Sequence, residues 1–223
     1  MSSDPGDPQT HRYRFSFALS PGLLYHIGKS TQERKFMMRR LALLSVLGSC
    51  LILFLSFTAA WAAEAEPKVG LVLGDFKFTK VITPEDQKYL GLDKEGPFGL
   101  QDIKAPYVFL ESFNTTCPHC LAQAPVLNNL FTLVEKDAQL KGKVKFISAG
   151  QGNNEQAMQM WKKFHKVPFA VVPDQERALS KAMNFSPYPV SMVVDKSGKV
   201  LWVHIGSFDK AEEALKEIKG VVK

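Results

Sequence analysis

Cysteine is scarce in this chain, with three thiols in 223 residues, at positions 50, 117 and 120. That scarcity excludes a fold held by a network of disulfides, and a body of this length can bury a core without them. It also argues against a zinc knuckle, which takes four ligands, usually from two cysteine pairs. A strong excess of one charge is lacking too. Of the 28 Lys and Arg, seven fall within residues 1–63, and of the 22 Asp and Glu only three do, so the remainder is nearly neutral. A balanced body has no basic stripe for nucleic acid. The composition is otherwise that of an ordinary globular protein, with 45% hydrophobic residues.

One long uncharged run is present, Leu41 to Ala63, preceded by Met37-Met38-Arg39-Arg40 and followed by Glu64-Ala65-Glu66-Pro67. A basic segment, an apolar core and small residues around Ala60-Trp61-Ala62-Ala63 make residues 37–63 a secretory signal peptide, with cleavage after Ala62 or Ala63. The rival reading is an uncleaved span, residues 41–63, anchoring the protein in the inner membrane. Lipidation at Cys50 fits less well, because the apolar core continues past it. The expected location is therefore exported, in the periplasm. Residues 1–36 show no period and are expected to be an unstructured extension, with translation beginning at Met37 or Met38. Removal of the leader takes Cys50 away and leaves one cysteine pair in an oxidising compartment.

That pair lies in Thr115-Thr116-Cys117-Pro118-His119-Cys120-Leu121. It follows an apolar run, Tyr107 to Phe113, that reads as a buried strand, and it precedes a helical pattern at Ala124, Leu127, Phe131 and Val134. A C-x-x-C at a strand-to-helix turn sets the first sulfur against the unpaired N–H groups and positive dipole end of the helix. A thiolate is favoured there, and the Cys117 pKa is expected to be lowered. Cys120, one turn inward, is more buried and can still reach back to close a small ring with Cys117. Pro118 suits the first helical position, having no N–H to leave unpaired, and a protonated His119 adds a donor or positive charge beside the thiolate. A haem-attachment site would need His directly after the second Cys, where Leu121 stands. A disulfide that staples a fold closes a long loop, and this one closes almost none. The pair reads as redox-active, Cys117 attacking and Cys120 resolving, with no metal and no other cofactor.

Around the motif the chain alternates. Val69 to Phe78 reads as a strand, Thr83-Pro84-Glu85-Asp86 as a helix start and Gly91 to Gly99 as turns, so residues 64–104 form a small N-terminal extension packed on a main domain over 105–223. Val144 to Ser148 is a second buried strand, and Gly150-Gln151-Gly152-Asn153-Asn154 a loop. Ala157, Met160, Trp161 and Phe164 follow helical spacing with Asn153 or Asn154 as a cap, and this stripe reads as core. Pro168 to Val172 is a third strand, and Asp174 caps a helix through Met183. Val190 to Val194 and Val200 to Ile205 are joined by Asp195-Lys196-Ser197-Gly198 as a hairpin. A last helix runs from about Asp209, with Ala211, Leu215, Ile218 and Val222 on one face.

The order strand, helix, strand, helix, strand, helix, hairpin, helix gives a mixed central sheet flanked by helices, an α/β three-layer sandwich. With the C-x-x-C at its first strand–helix junction, it resembles the thioredoxin-fold superfamily over residues 69–223, and within it the exported TlpA/ResA-type thiol-disulfide oxidoreductases. Three further matches carry the resemblance. Pro125, eight residues after Cys117, stands where the family has a helix-kinking proline. Tyr188-Pro189-Val190 resembles the family's cis-proline segment, and the insertion carrying Gln156 to His165 is similar to the one that separates TlpA-like proteins from plain thioredoxin.

The resemblance implies that Pro189, rather than Pro187, is the cis residue beside the sulfurs, exposing the Tyr188 backbone to a substrate chain that pairs with it as an added strand. The rival is that both prolines only break the preceding helix. The resemblance also implies that Glu111, six residues before Cys117, is a buried acid of raised pKa that relays a proton to or from Cys120, a surface position being the alternative. Thr116 departs from the family's usual Trp before the first Cys, and so from its standard docking surface.

The expected activity is thiol-disulfide exchange with client proteins that carry thiols or disulfides, served by a membrane or periplasmic electron donor or acceptor. The Pro118-His119 dipeptide matches strongly oxidising DsbA-type enzymes, whereas the overall pattern resembles TlpA-like reductases, and reduction is the expected direction. A DsbA-like oxidase is one alternative. A peroxiredoxin-like peroxidase is another, though its P-x-x-x-T-x-x-C pattern requires Pro and Thr where this chain has Leu110 and Asn114. A non-enzymatic metal carrier, gripping copper or zinc through His119 and the cysteines, is a third. His165 and His204 are assigned no role.

Overall fold

The computed structural model of the chain describes residues 32, 35–40 and 66–223. The leader, its cleavage sites and Cys50 lie outside the described residues, as does most of the 1–36 extension. Residues 32 and 35–40 are helical, so the stretch expected to lack structure ends in helix at the positions described. Among the described residues no helix is long and apolar enough to cross a membrane.

Five strands make one mixed sheet in the order β3-β2-β1-β4-β5. They are β1 (Tyr107–Phe113), β2 (Val144–Gln151), β3 (Ala170–Asp174), β4 (Val190–Asp195) and β5 (Val200–Ile205). β1, β2 and β3 run parallel, while β4 is antiparallel to β1 and β5 antiparallel to β4. The α-helices of residues 66–223 are α1 (Pro84–Leu90), α2 (Pro118–Lys136), α3 (Glu155–Phe164), α4 (Ala178–Met183) and α5 (Ala211–Val221). This is the α/β sandwich expected from the order of elements. Residues 63–223 form one compact unit.

Strand alternation divides the core in two. Phe109, Phe113, Phe146, Val171, Val193 and Trp202 point to the face covered by α2 and α5, where Phe109 and Phe146 stack with ring centroids 4.3 Å apart. Val108, Leu110, Ile147, Met192 and Val194 point the other way, onto Leu179 and Met183 of α4 and onto Leu73, Phe78, Leu90 and Phe98 of the N-terminal segment. Those four apolar anchors, each buried, fasten the segment to the sheet.

The same anchors explain a departure from expectation. Val69 to Phe78 is no strand: it makes isolated bridges, Val72 with Lys199 and Phe78 with Phe98. Its apolar residues serve as plugs, and Gly70 at φ 91° turns the backbone out of extended form. The helix start at Thr83 is as expected, the Thr83 hydroxyl accepting the Asp86 N–H at 3.1 Å. Asp86 is itself buried and paired with Lys162 of α3 at 2.8 Å, tying α1 to the inserted helix.

Four boundaries differ on the central elements. β2 continues through Gly150 and Gln151, which pair with Pro173 and Asp174, so the loop begins at Gly152. A Cβ at Gly150 would meet the Met158 thioether, so any larger residue there requires that buried side chain to shift. β3 starts at Ala170, two residues late, and includes Asp174. Asp174 still caps α4, but from the strand end: its carboxylate accepts the N–H groups of Ala178 at 2.6 Å and Leu179 at 3.2 Å. The last helix begins at Ala211 and buries Ala211, Ala214 and Ile218.

The largest correction falls on α3. Of the two asparagines expected as its cap, Asn154 serves, accepting the Ala157 N–H at 3.0 Å. Its buried side is Met158 and Trp161, whereas Met160 is 66% and Phe164 82% exposed. Period alone placed Met160 and Phe164 with Trp161, but the helix rests on the sheet edge along a narrower line through Met158 and Trp161.

Candidate active site

The cysteine motif sits where β1 ends and α2 begins. Cys117 is the N-cap of α2 in extended conformation, and its sulfur accepts the Cys120 N–H at 3.2 Å. Pro118 occupies the first helical position. Cys117 is 7% and Cys120 1% exposed, while Pro118 and His119 face solvent. Both sulfurs are free thiols. Burial pushes the Cys120 thiol well up, and its hydrogen bond with Cys117 and the nearby charges of Cys117 and Glu111 push the same way. Pro125 lies inside α2 and has no N–H to return to the preceding turn.

The loop ahead of Cys117 is pinned by amides. Asn114 donates to the Gln151 carbonyl at 2.9 Å and accepts both the N–H and the hydroxyl of Thr116, at 2.9 and 2.7 Å. Asn153 meets Thr115 twice, accepting its N–H and donating to its hydroxyl, both at 3.1 Å. Gln151, buried, accepts the Ser112 hydroxyl at 3.1 Å and donates to the Ser186 carbonyl at 2.9 Å. The Cys117 loop and the segment leading to Pro189 thus meet at one residue, the loop on the Gln151 main-chain carbonyl and the Pro189 segment on its side-chain amide.

The Tyr188–Pro189 peptide bond is cis, and Pro189 is buried beside a 40% exposed Tyr188. Val190, next in the chain, pairs with Ser112 of β1, so Pro189 stands at the end of the sheet from which the Cys117 loop springs.

Behind the sulfurs, Ser148, Glu111, Ser191 and His204 fall in register across β2, β1, β4 and β5. Strand neighbours in register share a face, here the one under α2. Glu111 is 3% exposed, not on the surface, and burial lifts its pKa to about 7. Hydrogen bonds oppose that rise: Ser148 donates to Oε2 in a short contact, and Gln123 donates to Oε1 at 3.0 Å.

The structure therefore gathers Cys117, Pro118, His119 and Cys120 at the start of α2, with Glu111 beneath that helix and Tyr188 and Pro189 at the neighbouring strand end. His165 packs on the Trp161 ring at 4.1 Å, and His204 ends the polar row. Sequence reasoning missed Gln123, Ser148, Gln151, Asn153 and Ser191 as parts of this arrangement. A signal existed for two of them, since Ser148 and Ser191 interrupt apolar strand runs. Gln123 lies three residues after Cys120, hence on its side of the helix.

A thiol pair at the N-terminus of α2, set on a mixed sheet with a cis-proline at the adjoining strand end, defines the thiol-disulfide oxidoreductase class. Comparison with known proteins agrees. The Redoxin family profile matches residues 79–221, and the chain belongs to that family. Thiol-disulfide oxidoreductase ResA of Bacillus thuringiensis subsp. konkukian (strain 97-27) is 31% identical over 157 residues, covering 67% of this chain and 88% of its own length. ResA of Geobacillus kaustophilus (strain HTA426) is 23% identical over 190 residues, covering 84% and 98%. Among solved structures, a Chlorobium tepidum protein provisionally assigned as thiol:disulfide interchange protein DsbE has a TM-score of 0.54 at 19% identity, covering 71% of this chain and 100% of its own. MTB DsbF has a TM-score of 0.50 at 18% identity, covering 66% and 94%. The chain is a thiol-disulfide oxidoreductase of ResA type, and its fold is thioredoxin-like.

Proposed function

We propose that this enzyme reduces disulfides of client proteins outside the cytoplasm, through Cys117-Pro118-His119-Cys120. The Cys117 thiolate attacks a client disulfide, forming a mixed disulfide and releasing one client thiolate. Cys120 then gives its proton to the Glu111 carboxylate and attacks the Cys117 sulfur. The second client thiolate leaves, two electrons have passed to the client, and a Cys117–Cys120 disulfide remains for an external dithiol donor, membrane-bound or periplasmic, to reduce. Tyr188 and Pro189 offer the edge along which a client chain lies.

The observation that carries this reading is the unequal environment of the two sulfurs. Cys117 caps the helix and receives the Cys120 N–H, whereas Cys120 is buried with its thiol pushed up, next to an acid poised at about 7. A buried thiol of that kind needs a base to ionise, and Glu111 is the carboxyl whose charge it feels. Residues 37–63 supply the export signal, and residues 64–104 the extension packed on the 105–223 domain.

The reduction potential of the Cys117/Cys120 couple tests the direction. A value near thioredoxin's, about −270 mV, supports a reductase, and one near about −120 mV makes it an oxidase. Recovery of the protein from a periplasmic extract tests the location, and retention in the cytoplasm overturns it.

A further inference from the structure

Gln123 is 1% exposed and commits its whole side chain to three elements. Its Nε2 donates to Glu111 Oε1 of β1 at 3.0 Å and to Ser191 Oγ of β4 at 3.3 Å. Its Oε1 accepts the N–H of Phe208, in the loop before α5, at 3.1 Å. A buried amide satisfied at both ends is a rigid joint, and leaving any of its partners unpaired is costly. It lies one helical turn beyond Cys120, so the joint fixes the first turns of α2 against the strand that carries the acid.

We propose that Gln123 is a positioning residue for the proton step: it aims the Glu111 carboxyl at the first turn of α2 and, by donating to Oε1, favours the ionised form that accepts the Cys120 proton. The proposal rests on the reading of Glu111 as the acid-base partner of Cys120. A donor to a carboxylate stabilises the charge and leaves the neutral acid nearly indifferent. Without Gln123, Ser148 is the one side-chain donor to the buried charge among the described residues.

The surroundings make the effect separable. From α2 the titratable groups that face Glu111 are Cys120 and, beyond it, Cys117, and from β5 it is His204 at the end of the row. Ser148 of β2 and Ser191 of β4 carry no charge, and the loop before α5 contributes a backbone N–H. Among the described residues the side-chain donors to Glu111 are Ser148 and Gln123, and neither carries a charge.

The test compares Gln123→Met, which keeps the length and loses the donor, with Gln123→Glu, which sets a second carboxyl against the first. Two readouts are taken: the carboxyl-carbon NMR titration of Glu111, and the pH dependence of Cys120 attack on a preformed mixed disulfide between Cys117 and a small aromatic thiol. In Gln123→Met both midpoints rise by about one pH unit. In Gln123→Glu they rise further, because two carboxyls then share a proton. A Glu111 midpoint unmoved in either variant overturns the proposal. If Gln123→Met fails to fold by circular dichroism, Gln123→Asn, which keeps the amide but shortens its reach, carries the same expectation and the same refutation. Glu111→Gln separates the two layers. Should it keep the wild-type pH dependence, the reading of Glu111 falls and this proposal with it. Should it abolish that dependence while Gln123→Met leaves the midpoints in place, only the role of Gln123 falls.

Discussion

On one face of the sheet a register row reads Ile147, Leu110, Met192, Val203, and the row one residue on, facing the other way, reads Ser148, Glu111, Ser191, His204. The first packs against α4 and the N-terminal segment, and the second lies under α2, which carries the sulfurs. The same strands thus supply a dry apolar seam on one side and a polar inclusion on the other. Burying a carboxyl raises its pKa and costs stability. The face under α2 gives up part of its packing to a buried, hydrogen-bonded carboxyl, and the opposite face holds the sheet together.

That contrast can be broken from either side. The largest effect is expected at the sulfurs: Cys117→Ser lowers turnover of a disulfide substrate by roughly 10³-fold or more, and Cys120→Ser accumulates mixed disulfides visible on a non-reducing gel. On the dry face, Leu110→Ala costs about 3 kcal/mol in urea unfolding, from transfer and cavity terms together, with the pH dependence of exchange unchanged.

On the polar face the pattern inverts. Glu111→Gln slows the resolving step about 100-fold in single-turnover measurements yet stabilises the protein above neutrality. The sign follows from the raised pKa. An acid at about 7 when folded, against 4.5 ordinarily, stays protonated where the unfolded chain has already ionised. Its contribution is therefore fully present below the ordinary value and lost as pH rises through the folded one. The loss amounts to about 3 kcal/mol, and Glu111→Gln removes that slope from urea midpoints measured between about pH 4 and pH 8.

Smaller effects sharpen the boundaries of the site. Asn153→Ala removes both bonds to Thr115 and costs about 1–2 kcal/mol in the same unfolding assay. Phe164→Ser, on the exposed side of α3, changes stability by less than about 0.5 kcal/mol, although its spacing matched that of buried Trp161.

The polar row explains what was legible beforehand. Tyr107–Phe113 declared itself as a strand despite Glu111, because six of its seven residues are apolar or small and the turn chemistry follows at once. The C-x-x-C with Pro118 declared both a helix start and a redox pair. Glu111 was visible as an anomaly in that strand. Its partners were not, since Ser148, Ser191 and Gln123 are separated from it by 37, 80 and 12 residues, and no local pattern says that they meet. Val69 to Phe78 misled for the converse reason: an apolar run records burial, and burial is reached as well by plugs in a core as by a ladder of strand bonds.

Local chemistry in the chain determined the alternation of strands and helices, the Pro118 start, the Asn154 cap and the identity of the two reacting sulfurs, because each depends on residues within a few positions of one another. Tertiary structure alone decided that Glu111 is buried, that Gln123 and Ser148 donate to it, and that Phe164 faces solvent while Trp161 does not. The physical reason is that burial and hydrogen-bond partnership belong to surfaces brought together from distant segments, and their energies are set only when the sheet and helices have closed on one another.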